Sequence, residues 1–91
     1  MALLLYGVHY PNPEKENILI DAMHKFAEAV KKEAGVIFVD TFKNPTDGTI
    51  ISVAVWDSKQ AFQSSWSELV KKAPSQEWEL KPREAFMMES A

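Results

Sequence analysis

Cysteine is absent from the sequence. The chain can therefore form neither a disulfide framework nor a thiolate metal site, and packing alone must hold its core together. Disulfides belong mainly to oxidising compartments, so a chain without cysteine suits the reducing cytoplasm, which is the location we expect.

Basic residues are also in short supply. The 10 Lys and Arg are outnumbered by 13 Asp and Glu, which leaves a net charge of −3. Because nucleic-acid binding depends on neutralising phosphates, we expect no nucleic-acid partner.

Long apolar runs are missing too, since the run that opens the chain is broken by Gly7 and His9. It is too short for a transmembrane span or a secretory signal, so we expect no membrane partner.

Six segments carry clear secondary-structure signals. Branched and aromatic residues bounded by turn formers predict strands over residues 2–10, 36–42, 49–56 and 83–90. After the first strand, apolar residues predict an amphipathic helix: Ile18, Ala22, Phe26 and Val30 recur at every fourth position, with Leu19 and Met23 beside them. Asn12 and Pro13 are typical of its start and Gly35 of its end. A second helix follows strand three and is capped by Asp57 or Ser58.

The order of these segments is strand, helix, strand, strand, helix, strand. It predicts a single α+β domain over residues 1–91 with a ferredoxin-like βαββαβ arrangement. Two right-handed crossovers place both helices on the same face of a four-stranded antiparallel sheet. The helices then cover one face of the sheet and leave the other without cover.

Strand one is apolar on both of its sides. Leu3 and Leu5 point one way, whereas Leu4, Tyr6 and Val8 point the other. A sheet face built from such residues is larger than the apolar patches that monomers tolerate, so we expect a homodimer with two sheets packed face to face and Tyr6 at the contact. The alternative is a monomer whose second face is made wetter by polar strand residues, namely Asp40, Thr41 and Ser52.

The segment VAVWDSKQAF, residues 53–62, combines a strand ending in Trp, a capped turn and a helix that starts with Ala-Phe. Together with the Gly35-Val36 junction, it resembles the antibiotic biosynthesis monooxygenase-like (ABM) family of the dimeric α/β-barrel superfamily. The resemblance covers nearly the whole chain and implies a dimer. Some members of this family resemble cofactor-free oxygenases for phenolic or quinone-like polycycles, a related branch binds and degrades haem, and many members have no assigned activity.

The haem-degrading branch has Asn in strand one, and an aromatic residue nine positions after the Trp that ends strand three, with His further along the same helix. Here Ser65 stands nine positions after Trp56, Trp66 follows one step later, and no His comes after it. Strand one contains His9 in place of Asn. These differences argue against haem degradation, and we expect no cofactor.

His9 is the candidate catalytic residue. It lies at the end of strand one, on the same side as Leu3, Leu5 and Gly7. If that side faces the helices, Gly7 makes room for a cavity and His9 stands at its mouth, where a neutral imidazole can take a proton from a phenol or enol. The alternative is a strand-end histidine that hydrogen-bonds a loop carbonyl or meets solvent.

His24 falls off the apolar stripe of helix one, so we expect a solvated helix residue. No carboxylate is spaced to complete a metal site with the two histidines, and we predict none. Arg83 and Lys81 could attract an anionic ligand at the start of strand four, although two solvated surface residues are the simpler interpretation.

A pocket between sheet and helices would be lined by apolar and aromatic residues. The candidate substrate-binding residues are Trp66, Phe62, Phe26, Met23 and Leu5. Trp66 can form one wall of a site for a flat aromatic ligand and offers one N–H, but such side chains are more often plain core, which is the simpler interpretation.

These observations predict a cofactor-independent monooxygenase that acts on a small aromatic or quinone-type substrate. The main alternative is a non-catalytic dimeric protein that binds a small apolar ligand or serves in a stress response. An isomerase or decarboxylase that needs only one base is a third interpretation of the same fold.

Overall fold

The computed structural model describes residues 1–91 and contains four strands and two α-helices. In chain order they are β1 (Leu3–His9), α1 (Glu16–Lys31), β2 (Val36–Lys43), β3 (Ile50–Trp56), α2 (Lys59–Leu69) and β4 (Glu84–Glu89). Short 3-10 helices occupy Pro13–Lys15, Val70–Lys72 and Gln76–Trp78. The predicted βαββαβ order is confirmed.

The strands form one antiparallel sheet in the order β2-β3-β1-β4. The two central strands, β1 and β3, pair from Leu3 opposite Trp56 to His9 opposite Ile50. Because paired residues point to the same face, the register assigns every strand residue to one side of the sheet. This is the ferredoxin-like arrangement predicted from the sequence.

The helix ends follow local signals. Asn12 accepts a hydrogen bond from the Glu14 N–H at 3.0 Å and so caps the short 3-10 helix that leads into α1. Ser58, not Asp57, caps α2, since its hydroxyl oxygen accepts the Ala61 N–H at 3.1 Å. Gly35 adopts a φ of +90°, which side chains with a Cβ rarely adopt, and this turns the chain from α1 into β2.

Both helices pack on the face that carries Leu3 and Trp56. One buried cluster joins these two residues to Val30, Phe62 and Leu69, and a second joins Leu19, Met23 and Ile50. The buried stripe of α1 consists of Leu19, Met23, Ala27 and Val30. Leu19, Met23 and Val30 belong to the predicted stripe, whereas Ala27 was not predicted and Ile18 remains 44% exposed.

The opposite face, which we call the open face, has no helix over it. It is formed by the alternate strand residues Leu4, Tyr6, Val8, Phe38, Asp40, Phe42, Ile51, Val53, Val55, Glu84, Phe86 and Met88. All are apolar or aromatic except two acids, Asp40 and Glu84, which lie on the edge strands β2 and β4. Ser52 and Thr41, considered above as marks of a wetter face, lie instead on the helix side. No helix is both long and apolar enough to cross a membrane.

Candidate functional site

Small side chains on the helix side of the sheet leave space between the sheet and the helices. Gly7 of β1 pairs with Ser52 of β3 on one side and with Ala85 of β4 on the other, while Ala54 lies opposite Leu5. Since such residues fill little space between a sheet and two helices, a cavity remains there. Its volume is about 350 Å³, within the range usual for small-molecule sites.

The walls of the cavity are mainly apolar and aromatic. Every candidate substrate-binding residue lines it: Leu5, Met23, Phe26, Phe62 and Trp66. Trp66 lies between two phenylalanines, with ring centroids 5.1 Å from Phe62 and 6.2 Å from Phe26. These rings are spaced as in ordinary aromatic packing, so the wall is fixed by contacts within the chain.

His9 is one of the polar residues that line this cavity. It is on the helix side of β1, as the cavity interpretation required, and is only 6% exposed. Its Nε2 atom lies 3.5 Å from the Ser52 hydroxyl oxygen. A Cβ atom placed on Gly7 would stand 2.9 Å from that oxygen and 3.4 Å from His9 Nε2. The missing side chain of Gly7 therefore keeps space open beside the imidazole.

A buried carboxylate, which the sequence interpretation missed, holds the other side of His9. Glu79 precedes β4, and its side chain is completely buried. Its Oε2 atom lies 3.2 Å from His9 Nδ1, and its Oε1 atom accepts the backbone N–H of Tyr10 at 3.0 Å. Only the folded chain brings residues so far apart in sequence together, so no local motif could have revealed this contact.

Arg83 is not the solvated surface residue of the simpler interpretation. Its Nη2 atom lies 2.5 Å from Glu79 Oε2 and donates to the Pro74 carbonyl at 2.8 Å, and Arg83 also lines the cavity. Lys81 does lie at the surface, where its ammonium stands 4.1 Å from the centroid of the Tyr10 ring. Arg83 therefore belongs to the cavity, whereas Lys81 does not.

Burial determines the protonation of His9. It lowers the pKa of His9 below its ordinary value, and the attraction of the Glu79 carboxylate opposes this only in part. The positive charge of Arg83 lowers the pKa of His9 slightly further. The imidazole is consequently neutral near pH 7, which is the form that can accept a proton.

The second histidine stays apart from the cavity. His24 is exposed on α1, as predicted. Groups of three or more metal-ligating side chains do not occur in the structure. The polar side chains nearest His9 are Ser52 and Arg83, which line the cavity with it, and Glu79, which contacts His9 from outside the lining. The cavity lining also includes Asp40, Thr41 and Glu84.

A comparison with protein-family models gives a match to antibiotic biosynthesis monooxygenase (ABM) over residues 6–68. The chain belongs to this family. The matched segment of this ABM protein includes His9, Ser52 and Trp66, but it ends before Glu79 and Arg83. No curated protein matches the chain.

Solved structures with the same fold span nearly the whole of this ABM chain. Rv0793 from Mycobacterium tuberculosis has a TM-score of 0.87 at 14% identity, covering 100% of this chain and 96% of its own. A conserved protein from Methanosarcina mazei has a TM-score of 0.88 at 17% identity, and the match covers 100% of this chain and 94% of that one. SnoaB, a cofactor-independent oxygenase from Streptomyces nogalater, has a TM-score of 0.82 at 12% identity, and the match covers 98% of this chain and 92% of that one. At these identities the likeness establishes the ferredoxin-like fold.

Proposed function

We propose that this ABM-family protein is a cofactor-independent monooxygenase for a small aromatic or quinone-type substrate with one acidic hydroxyl or enolisable carbonyl. The observation that carries the proposal is the buried imidazole of His9 in a cavity lined mainly by apolar and aromatic side chains. The similarity in fold to SnoaB, a cofactor-independent oxygenase, supports the same reaction class.

The cavity suits a flat substrate with its polar group at one end. The hydrocarbon body would lie against Trp66, Phe62 and Phe26, and the acidic O–H would point to His9 Nε2. Ser52 is close enough to the same position to donate its hydroxyl hydrogen to the substrate oxygen once that oxygen becomes negative. The site therefore has one proton acceptor and one hydrogen-bond donor for a phenol or enol.

The reaction begins with transfer of the substrate proton to His9 Nε2. The electron-rich anion then reduces O2, so the substrate itself supplies the electrons that a flavin or metal would otherwise provide. For an anthrone, one oxygen atom enters the ring as a carbonyl and the other leaves as water, giving the quinone. General base catalysis of this kind contributes roughly 10²–10⁴-fold to a rate.

Oxygen uptake tests this function. The purified protein is incubated with a panel of hydroquinones and anthrones, and the wild type is compared with His9→Ala and with His24→Ala as the matched control. We expect uptake with one or more compounds, a loss of about 10²-fold or more in His9→Ala, and no change in His24→Ala. Uptake that is unchanged by His9→Ala would exclude His9 as the base, and uptake from no compound would favour a non-catalytic ligand-binding role.

We also propose that a second copy of this chain covers the open face. The central strands β1 and β3 contribute only apolar or aromatic side chains to it, and both acids lie at its edges. An apolar centre with a polar rim is the usual anatomy of a protein interface. Exposed aromatic and Met side chains remain on it in the single chain, among them Phe38 (43%), Phe42 (48%), Phe86 (41%) and Met88 (48%). A self-complementary face of this kind suits a twofold homodimer.

A further inference from the structure

We propose that Glu79 is a positioning residue, which holds His9 as the Nδ1–H tautomer and so keeps Nε2 as the proton acceptor that faces the cavity. The catalytic consequence rests on the proposed function, but the tautomer is a property of the protein itself. Glu79 lies outside the segment that the ABM family model matches.

The groups around the Glu79 carboxylate fix which hydrogen bonds it makes. Its side chain is fully buried and meets donors at both oxygens: the Tyr10 backbone N–H at Oε1, and Arg83 Nη2 together with His9 Nδ1 at Oε2. A carboxylate only accepts hydrogen bonds. The nitrogen of His9 that faces it must therefore carry the hydrogen, and the other nitrogen, Nε2, keeps its lone pair for Ser52 or a substrate.

The backbone around this contact is itself fixed. Pro11 and Glu79 form an isolated antiparallel bridge, and the Leu80 N–H donates to the Tyr10 carbonyl at 2.8 Å. The Asn12 N–H donates to the Trp78 carbonyl at 2.9 Å. The segment before β4 is thus fastened to the end of β1, and this sets the position of the carboxylate relative to the imidazole.

Two charged groups act on His9, and they act in opposite directions. The Glu79 carboxylate raises the pKa of His9, whereas the Arg83 guanidinium lowers it. Glu84 of β4 also lines the cavity, but it pairs with Val8 and so points to the open face. From α1, the apolar Leu19 and Met23 pack against Ile50, the residue paired with His9. Removing each charge should consequently move the titration of His9 in a different direction.

Glu79→Gln disturbs the contact with little change of shape. The Gln side chain has one acceptor oxygen where Glu79 has two. If that oxygen takes the Tyr10 N–H, the amide NH2 faces His9 and favours the Nε2–H tautomer. If the Gln oxygen faces His9 instead, the Nδ1–H form is kept, but the amide NH2 then points at the Tyr10 N–H, and two donors face each other. The Nδ1–H form therefore becomes less favourable than it is with Glu79, and the preference for it should weaken.

Nitrogen-15 NMR of the imidazoles tests the tautomer without any substrate. In a His24→Gln background His9 is the sole imidazole, and we expect a predominant Nδ1–H form. Glu79→Gln should reduce that preference and shift the His9 pKa down, whereas Arg83→Gln should shift it up. A predominant Nε2–H form in the protein that retains Glu79 would overturn the proposal, even if the variants fail to fold. So would shifts of the two pKa values in the same direction, or no shift in either.

Kinetics test the catalytic consequence once a substrate is in hand. The acidic limb of the pH profile of kcat/KM reports the pKa of the free base, so it should move to lower pH in Glu79→Gln and to higher pH in Arg83→Gln. We expect kcat/KM to fall by roughly 10–100-fold in Glu79→Gln, the range known for groups that orient metal-bound histidines. If the acidic limb of the kcat/KM profile stayed at the same pH in both variants, the positioning role of Glu79 would be overturned. An absence of oxygen uptake by the wild type would reject the proposed function alone, because the NMR result would still decide the tautomer.

Discussion

Replacing Phe86 by Asp on β4 should separate the proposed dimer. Phe86 stacks on Tyr6 at a centroid distance of 4.8 Å, on the open face, and is 41% exposed in the single chain. Because a phenylalanine offers ~200 Å² in all, about 80 Å² of it remains for a partner to bury. At ~25 cal/mol per Å² this is worth about 2 kcal/mol for each copy.

A twofold interface contains this contact twice, so the loss is about 4 kcal/mol for the dimer, which is roughly a thousandfold in the dissociation constant. The introduced carboxylates add to the loss, since burying an unpaired charge is unfavourable. Ile18→Asp is the matched control. Ile18 is 44% exposed, but it lies on α1, on the other side of the sheet.

Sedimentation velocity over a range of micromolar concentrations measures the effect, with circular dichroism to check that each variant is folded. We expect twice the protomer mass for the wild type and for Ile18→Asp, and the protomer mass for Phe86→Asp. The reasoning would be refuted if Phe86→Asp dimerised as tightly as the wild type, or if the wild type stayed monomeric throughout.

Two further predictions concern stability. Gly35→Ala should lower the free energy of unfolding by about 2–5 kcal/mol, because an Ala there adopts a left-handed φ and its Cβ would lie 2.7 Å from the Ala61 Cβ. Gly48→Ala, at a φ of +76° with open space around it, should cost only about 1–2 kcal/mol, and equal losses in urea unfolding would contradict this. Since the pKa of His9 lies below its ordinary 6.5, the unfolded chain binds the proton first, so stability should fall as the pH drops below that value. His9→Gln should flatten this dependence in urea titrations between about pH 7.5 and pH 5.5, and an equal slope in both proteins would show that His9 is not its source.

The architecture could be predicted because its signals are local. Turn formers and strand residues alternate with helical periodicity, and caps such as Ser58 mark where elements begin. The order of elements then allows few topologies. Periodicity located the buried stripe of α1 only in part: several neighbouring positions are apolar, and packing against the sheet buries Ala27 and leaves Ile18 exposed.

The cavity was predictable in part. The small and large residues that shape it are visible in the sequence, and the role of Gly7 as space beside His9 could be anticipated once the strand faces were considered. Which face meets the helices depends on long-range packing, and the sequence left it open. Glu79 could not be identified, because a lone Glu in an irregular segment is usually solvated and only the fastened backbone carries it to His9. Arg83 was considered as an anion-binding residue, but its contact with Glu79 was missed for the same reason.

The central claim is that the cavity between sheet and helices is the ligand site. Indole N–H signals in NMR test it directly, because Trp66 lines the cavity and Trp78 packs outside it against the Leu19 cluster. Titration with an anthrone or hydroquinone that gives oxygen uptake in the assay above should shift the indole N–H signal of Trp66 and leave that of Trp78 in place. A shift at Trp78 without one at Trp66, or changes confined to the open face, would contradict the account.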